Sequence, residues 1–144
     1  MRIRSVLFAP GNRGEVLAKL PRSSPDVAVL DLEDAVPAAH KVEAREVTHR
    51  AAVDLRAVAP HMGLCVRVNA LVSEHFADDL ASLPRGLDAG IVPKLESAGH
   101  VTEVLEAFMV NGVEAGLFAG LETAAGVERA VEILSQPGIS AAYF

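Results

Sequence analysis

The sequence predicts an α/β protein built on parallel strands, and three observations carry that expectation. Short apolar runs rich in Val, Ile and Leu alternate with longer segments of helical periodicity. The strand–helix rhythm repeats at roughly 25 residues, the spacing of successive βα units. Each apolar run also ends in a small knot of polar residues. In a parallel α/β fold the carboxyl ends of the strands all face one way, so knots far apart in sequence meet at one rim.

The elements follow in order. The first run, residues 4–8, leads to Pro10-Gly11-Asn12-Arg13. Val16, Leu17 and Leu20 come next at helical spacing, and Asn12 with Glu15 three residues on has the form of a capping box. The second run, residues 27–32, is apolar almost throughout, as a strand covered on both faces is, and it delivers Glu33 and Asp34. Pro37 suits a first helical position, and Val42, Ala44, Val47, Ala51 and Leu55 predict a long helix from there. The third run, residues 64–68, carries Arg67 and ends at Asn69; a helix is expected over 75–83. Ile91-Val92 runs into Pro93-Lys94 and Glu96, ahead of a helix over 98–108. Residues 115–120 stop at Glu122-Thr123, a helix over 125–134 precedes Pro137-Gly138, and a sixth strand starts at Ser140. This is one domain, 1–144. The rhythm fits an open doubly wound sheet or the first part of an eight-unit barrel, and a sixth strand with no helix after it favours the barrel.

Composition narrows the function. The 144 residues are 51% hydrophobic and 22% charged, ordinary for a folded domain with a core. A formal charge of −6 without a basic cluster argues against a nucleic-acid surface. Arg2 and Arg4 precede an apolar run too short for a signal peptide, and no run reaches membrane-spanning length, so a cytoplasmic protein is expected. The single cysteine, Cys65, excludes a disulfide framework and reads as a small buried apolar residue. Histidines 40, 49, 61, 75 and 100 have no metal-ligand spacing and read as surface residues.

The polar knots carry the chemistry. Arg67 is the sharpest signal, because a cation inside an apolar strand is costly to bury unless it meets an anion. With Lys94 it places two cations at the rim beside Glu33, Asp34 and Glu122, a set suited to metal-assisted handling of an anionic substrate. Competing structural roles exist: Asp34 suits the cap of the helix near Pro37, Lys94 and Glu96 suit an ion pair, and Asn12 suits a cap as well as a ligand contact.

Five ordered motifs identify the lineage. They are Ser5-Val6-Leu7-Phe8-Ala9-Pro10-Gly11-Asn12-Arg13, Leu30-Asp31-Leu32-Glu33-Asp34-Ala35-Val36, Val66-Arg67-Val68-Asn69, Val92-Pro93-Lys94-Leu95-Glu96-Ser97-Ala98, and Leu121-Glu122-Thr123-Ala124-Ala125-Gly126-Val127. Together they resemble the citrate lyase β-subunit (CitE-like) family of the HpcH/HpaI aldolase superfamily. The resemblance implies a (β/α)8 TIM barrel, of which this chain covers about the first five to six units. It implies a Mg2+-assisted carbon–carbon lyase acting on citryl, malyl or citramalyl thioesters of coenzyme A or an acyl carrier protein, in a homo-oligomer, trimeric or larger. It makes Glu122 a metal ligand and Arg67 the arginine that holds the substrate carbonyl or carboxylate. Glu33 and Asp34 are left with three roles: orienting metal-bound water, positioning Arg67, or acting as base. Asn12, Arg13, Asn69 and Lys94 are the further substrate contacts. A second metal-binding aspartate is implied after the sixth strand, beyond Phe144. A non-catalytic binding module of the same lineage is the alternative, and a class II pyruvate-type aldolase acting on free acids a further one. Gly14, Ala125, Gly116 and Gly120 depart from the family pattern; the last two replace bulky aliphatics and are expected to weaken the fifth strand.

Overall fold

The computed structural model describes residues 3–144, so Arg2 lies outside it. Six strands form a single parallel sheet: β1 Val6–Pro10, β2 Val27–Asp31, β3 Gly63–Arg67, β4 Ala89–Val92, β5 Gly116–Gly120 and β6 Ile139–Tyr143. Their order in space is their order in sequence. A doubly wound sheet reverses direction at a switch point, and this one does not, so the arrangement is that of a partial barrel.

The helices fall between the strands: α1 Gly14–Leu17, α2 Lys41–Val58, α3 Phe76–Ser82, α4 Ala98–Val110, α5 Ala124–Glu128 and α6 Ala130–Leu134. Short 3-10 turns at Leu20–Ser23 and Ala38–His40 extend α1 and lead into α2. The helix expected over 125–134 is broken at Arg129, which closes α5 and opens α6. Two proposed caps are absent. Arg13, not Asn12, occupies the amino-terminal flank of α1 and makes no side-chain cap bond. Pro37 and His40, not Asp34, flank the Ala38–His40 turn and α2. Among the described residues no helix is long and apolar enough to cross a membrane.

Strand residues alternate between two separate cores. Ala28, Leu30, Leu64, Val66, Leu117 and Ala119 face outward into a large cluster with helix residues such as Leu17, Leu55, Leu80, Val104 and Ile133. Val27, Val29, Cys65, Ala89 and Ile91 face inward and pack with Phe118 and Tyr143. The inner face is strongly concave. Five strand spacings of about 4.8 Å would separate β1 from β6 by about 24 Å in a flat sheet. Instead the rings of Phe8 and Tyr143 approach to 6.2 Å between centroids across the concavity. The open flank of β1 leaves Val6, Leu7 and Phe8 37–40% exposed.

Cys65 sits in the inner cluster, and burial, with the charge of Asp88, pushes its thiol up to about 12 from the ordinary 9.0. The folded state therefore keeps a proton that the unfolded chain releases above pH 9. Stability contributed by this residue falls as pH rises from about 9 towards 12, by at most about 1.4 kcal/mol per unit. Urea unfolding at pH 8 and pH 10.5 should show that loss in the wild type and a smaller one in Cys65→Ala.

Candidate active site

Asp31 and Arg67 end β2 and β3 and are register partners, so the inward alternation that buries Val29 and Cys65 brings both side chains to the concave face. Arg67 donates Nε to Asp31 Oδ1 at 2.8 Å and Nη2 to Oδ2 at 2.7 Å, a two-pronged ion pair. The same carboxylate accepts the backbone N–H of Glu33 at 2.8 Å and of Ala35 at 3.2 Å. Asp31 thus fixes Arg67 and, at once, the turn that carries Glu33. The guanidinium also stacks over the Phe8 ring, 5.1 Å from its centroid. Burial works against the charge, but the bonds and charge of Asp31, then the charge of Glu33, outweigh it and raise the Arg67 pKa above the ordinary 12.5.

The remaining nitrogen, Nη1, faces the mouth. It lies 3.1 Å from Glu33 Oε2 and 3.7 Å from Glu122 Oε1. Glu33 Oε2 is buried and has no aligned hydrogen bond, while Oε1 accepts from Lys94 Nζ at 2.6 Å. Lys94 reaches it from a left-handed backbone, φ 57°, a conformation that strains a residue with a Cβ and recurs where a side chain must be aimed. The hydrogen bond to Glu33 raises the Lys94 pKa. Asp34 stands at the edge, 70% exposed and 3.9 Å from Lys94. Glu122, 24% exposed, directly precedes the α5 cap, where the Thr123 hydroxyl accepts Gly126 N–H at 3.1 Å. Tyr143, at the end of β6, buries its hydroxyl beside Glu122 and Arg67 without an aligned hydrogen bond. Burial, reinforced by Glu122, raises its pKa and keeps the phenol protonated.

Beneath the mouth runs a second network. Lys41 Nζ donates to the carbonyls of Leu32 and Glu33 at 2.5 and 2.7 Å and to Asn69 Oδ1 at 2.9 Å. Asn69 Nδ2 donates to Leu32 O and to Asp79 Oδ2, and Asp79 in turn accepts Arg45 Nε at 2.8 Å. Burial lowers the Lys41 pKa, opposed by Asp79, Asp31, Glu33 and Asp34.

The structure therefore brings Arg67, Glu33, Glu122 and Lys94 together, with Asp34 at the margin. It does not add the other expected contacts. Both amide hydrogens of Asn69 are spent inside the protein, which makes it a brace of the rim. Arg13 is exposed and pairs with Glu15 at 3.3 Å, and Asn12 buries an oxygen with no hydrogen-bond partner in the turn after β1. Lys94 pairs with Glu33, not Glu96. Sequence reasoning missed Asp31, Lys41 and Tyr143. Asp31 was open to discovery, since a buried arginine demands an anion and the paired strand offers one at the same level.

Comparison with known proteins accords with this geometry. Residues 4–144 match the model of the HpcH/HpaI aldolase/citrate lyase family. The chain belongs to that family. A citrate lyase subunit beta-like protein of Deinococcus radiodurans is 56% identical over 106 residues, 72% of this chain and 37% of that protein. Human mitochondrial citramalyl-CoA lyase is 35% identical over 108 residues, 73% of this chain and 31% of that protein. The citrate lyase beta subunit of Mycobacterium tuberculosis, solved with oxaloacetate and magnesium, superposes with a TM-score of 0.77 at 31% identity, over 95% of this chain and 55% of that one. The family member described here thus spans about a third of the curated relatives in matched length and about half of the solved one.

Removing Asp31 would leave a largely covered guanidinium, 13% exposed, without its two-pronged partner. Asp31→Ala should lose about 3–5 kcal/mol of stability, the ordinary consequence of breaking a buried pair from one side. Urea unfolding at pH 7 measures it.

Proposed function

We propose that this chain carries the substrate-anchoring part of a Mg2+-assisted carbon–carbon lyase site for a 3-hydroxyacyl thioester of citryl, malyl or citramalyl type, borne by coenzyme A or an acyl carrier protein. One observation carries the reading: Asp31 saturates one side of the Arg67 guanidinium, so Nη1 alone is presented to the mouth, between Glu33 and Glu122. The human relative acts on a coenzyme A thioester and the mycobacterial one was solved with a 2-oxo acid and magnesium, which supports the same substrate class here.

The donor set fits a hard divalent cation. Asp31, Glu33, Asp34 and Glu122 stand around Arg67 and Lys94, four carboxylates against two cations, an excess that repels an anion until a cation joins it. Among the described residues no group of three potential ligands converges. Mg2+ commonly takes only one or two carboxylates and keeps water or substrate oxygen elsewhere. Glu122, with Glu33 beside it, would hold the ion, which when bound supplies charge neutralisation and a chelating centre for the hydroxyl and carboxylate oxygens of the acid portion.

The remaining work falls to the side chains. Cleavage removes the hydroxyl proton, forms the C=O of the 2-oxo acid, breaks the bond to the thioester α-carbon and leaves an enolate that takes up a proton. Arg67 Nη1 donates to the oxygen on which charge develops, pre-aimed by Asp31 and Phe8, so little reorganisation is needed. Glu33 Oε2, free of an aligned hydrogen bond, is the carboxylate placed to accept the hydroxyl proton. Lys94 holds the other oxygen of Glu33 and adds a second positive charge at the edge of the mouth for the carboxylate of the acid portion.

Mg2+-dependent release of a 2-oxo acid from malyl- or citramalyl-coenzyme A tests the proposal. Arg67→Ala should lower turnover by about two orders of magnitude or more, as loss of an oxyanion donor does. Glu122→Ala should abolish the Mg2+ dependence, and retained dependence sinks the metal assignment. A wild type that binds the 2-oxo acid with Mg2+ yet releases nothing would make the protein a binding module.

A further inference from the structure

The buried hydroxyl of Tyr143 makes no aligned hydrogen bond, and three features of the fold aim it at the mouth beside Glu122 and Arg67. The first is a register irregularity. Leu117 pairs with Ile139 but Phe118 pairs with Ala141, so Ser140 is an extra residue in β6. Ile139 and Ala142 both pack into the outer core, three residues apart, and Tyr143 packs into the inner one. A regular strand over the same residues would carry the two-residue alternation outward from Ile139 through 141 to 143 and turn the phenol to the helices; the bulge at Ser140 resets it. The second feature is the pair of glycines on β5. A Cβ at Gly116 would collide with Ser140 Oγ, and one at Gly120 would sit 2.9 Å from Tyr143 Oη and 3.1 Å from its Cζ. Both departures from the bulky residues expected on this strand are thus fitted to β6: one admits the extra residue, the other the phenol. The third is Phe8, whose ring lies against both Tyr143 and the Arg67 guanidinium.

An unbonded hydroxyl inside a protein is unfavourable, and two strands shaped around this one hold it beside Arg67 and Glu122, with donor capacity to spare for a bound oxygen. The neighbours, Arg67 and Glu122, are the groups assigned above to the anionic substrate and its cation. We propose that Tyr143 is a further substrate-binding residue, whose phenolic O–H donates to an oxygen of the 2-oxo acid held between Arg67 and Glu122. The assignment rests on the reading of that site as a 2-oxo acid site.

The test uses the composition of the chain. Tyr143 is the one tyrosine and there is no tryptophan, so tyrosine emission reports this residue alone. Pyruvate is titrated in the presence of Mg2+ into wild type and Tyr143→Phe, which keeps the ring and removes only the hydroxyl. Calorimetry measures affinity in both, and emission follows the wild type. The expected result is a change in emission that saturates with the calorimetric binding curve, and an affinity about tenfold weaker in Tyr143→Phe, the loss of one hydrogen bond to a charged group. Equal affinity in the two proteins overturns the role of Tyr143 and leaves the site reading standing. Absence of pyruvate binding in the wild type overturns both.

Discussion

The pairing of Arg67 with Asp31 is the constraint on which the rest of this molecule turns. A guanidinium on the inner face of a parallel sheet requires a carboxylate at the same level on the next strand, and the β2–β3 register supplies it. Asp31 then has two oxygens with capacity left over, and it uses that capacity on the backbone of Glu33 and Ala35. One buried carboxylate therefore orients a cation, shapes the turn after β2 and sends Glu33 back towards the cation it has fixed. Lys41 braces the same turn from below through the carbonyls of Leu32 and Glu33.

Much of this was legible in the sequence. All six strands fall within a few residues of the apolar runs, and β2, β3 and β4 do so most plainly, because strands buried on both faces write themselves as continuous hydrophobic segments. Arg67 stood out for the opposite reason, a charge where the pattern allows none. Other parts were not legible for physical reasons. Asp31 looks like part of an apolar run that two more conspicuous acids follow, and only strand register shows that it, not Glu33 or Asp34, takes the two-pronged bond. Asn69 follows Arg67 at the rim, but its orientation is set by Lys41 and Asp79, partners 28 and 10 residues away that no local spacing reveals. Asn12 has the right distance to Glu15 for a cap, yet the helix begins one residue later than that cap requires and lasts only four residues.

The glycines of β5 show how a local rule can be right and its consequence misplaced. Gly116 and Gly120 do lack side chains to pack, as expected from their composition alone. The adjacent strand fills the space they leave, with Ser140 and with the phenol of Tyr143. Strand weakness and strand-to-strand fit are here the same two positions seen from one strand and from two. The family relationship was written in five motifs, whereas this fit involves Ser140 and Tyr143, which lie outside all of them.

The strictly sequential strand order has a further consequence for how the chain matures. Each strand hydrogen-bonds to the one made just before it, so every new strand finds a neighbour already in place as synthesis proceeds. Asp31 and Arg67 meet once the third strand has formed, which neutralises the buried cation early. Glu122 and Tyr143 arrive two and three strands later. The emerging polypeptide thus settles the charge of Arg67 first and assembles the mouth around it last.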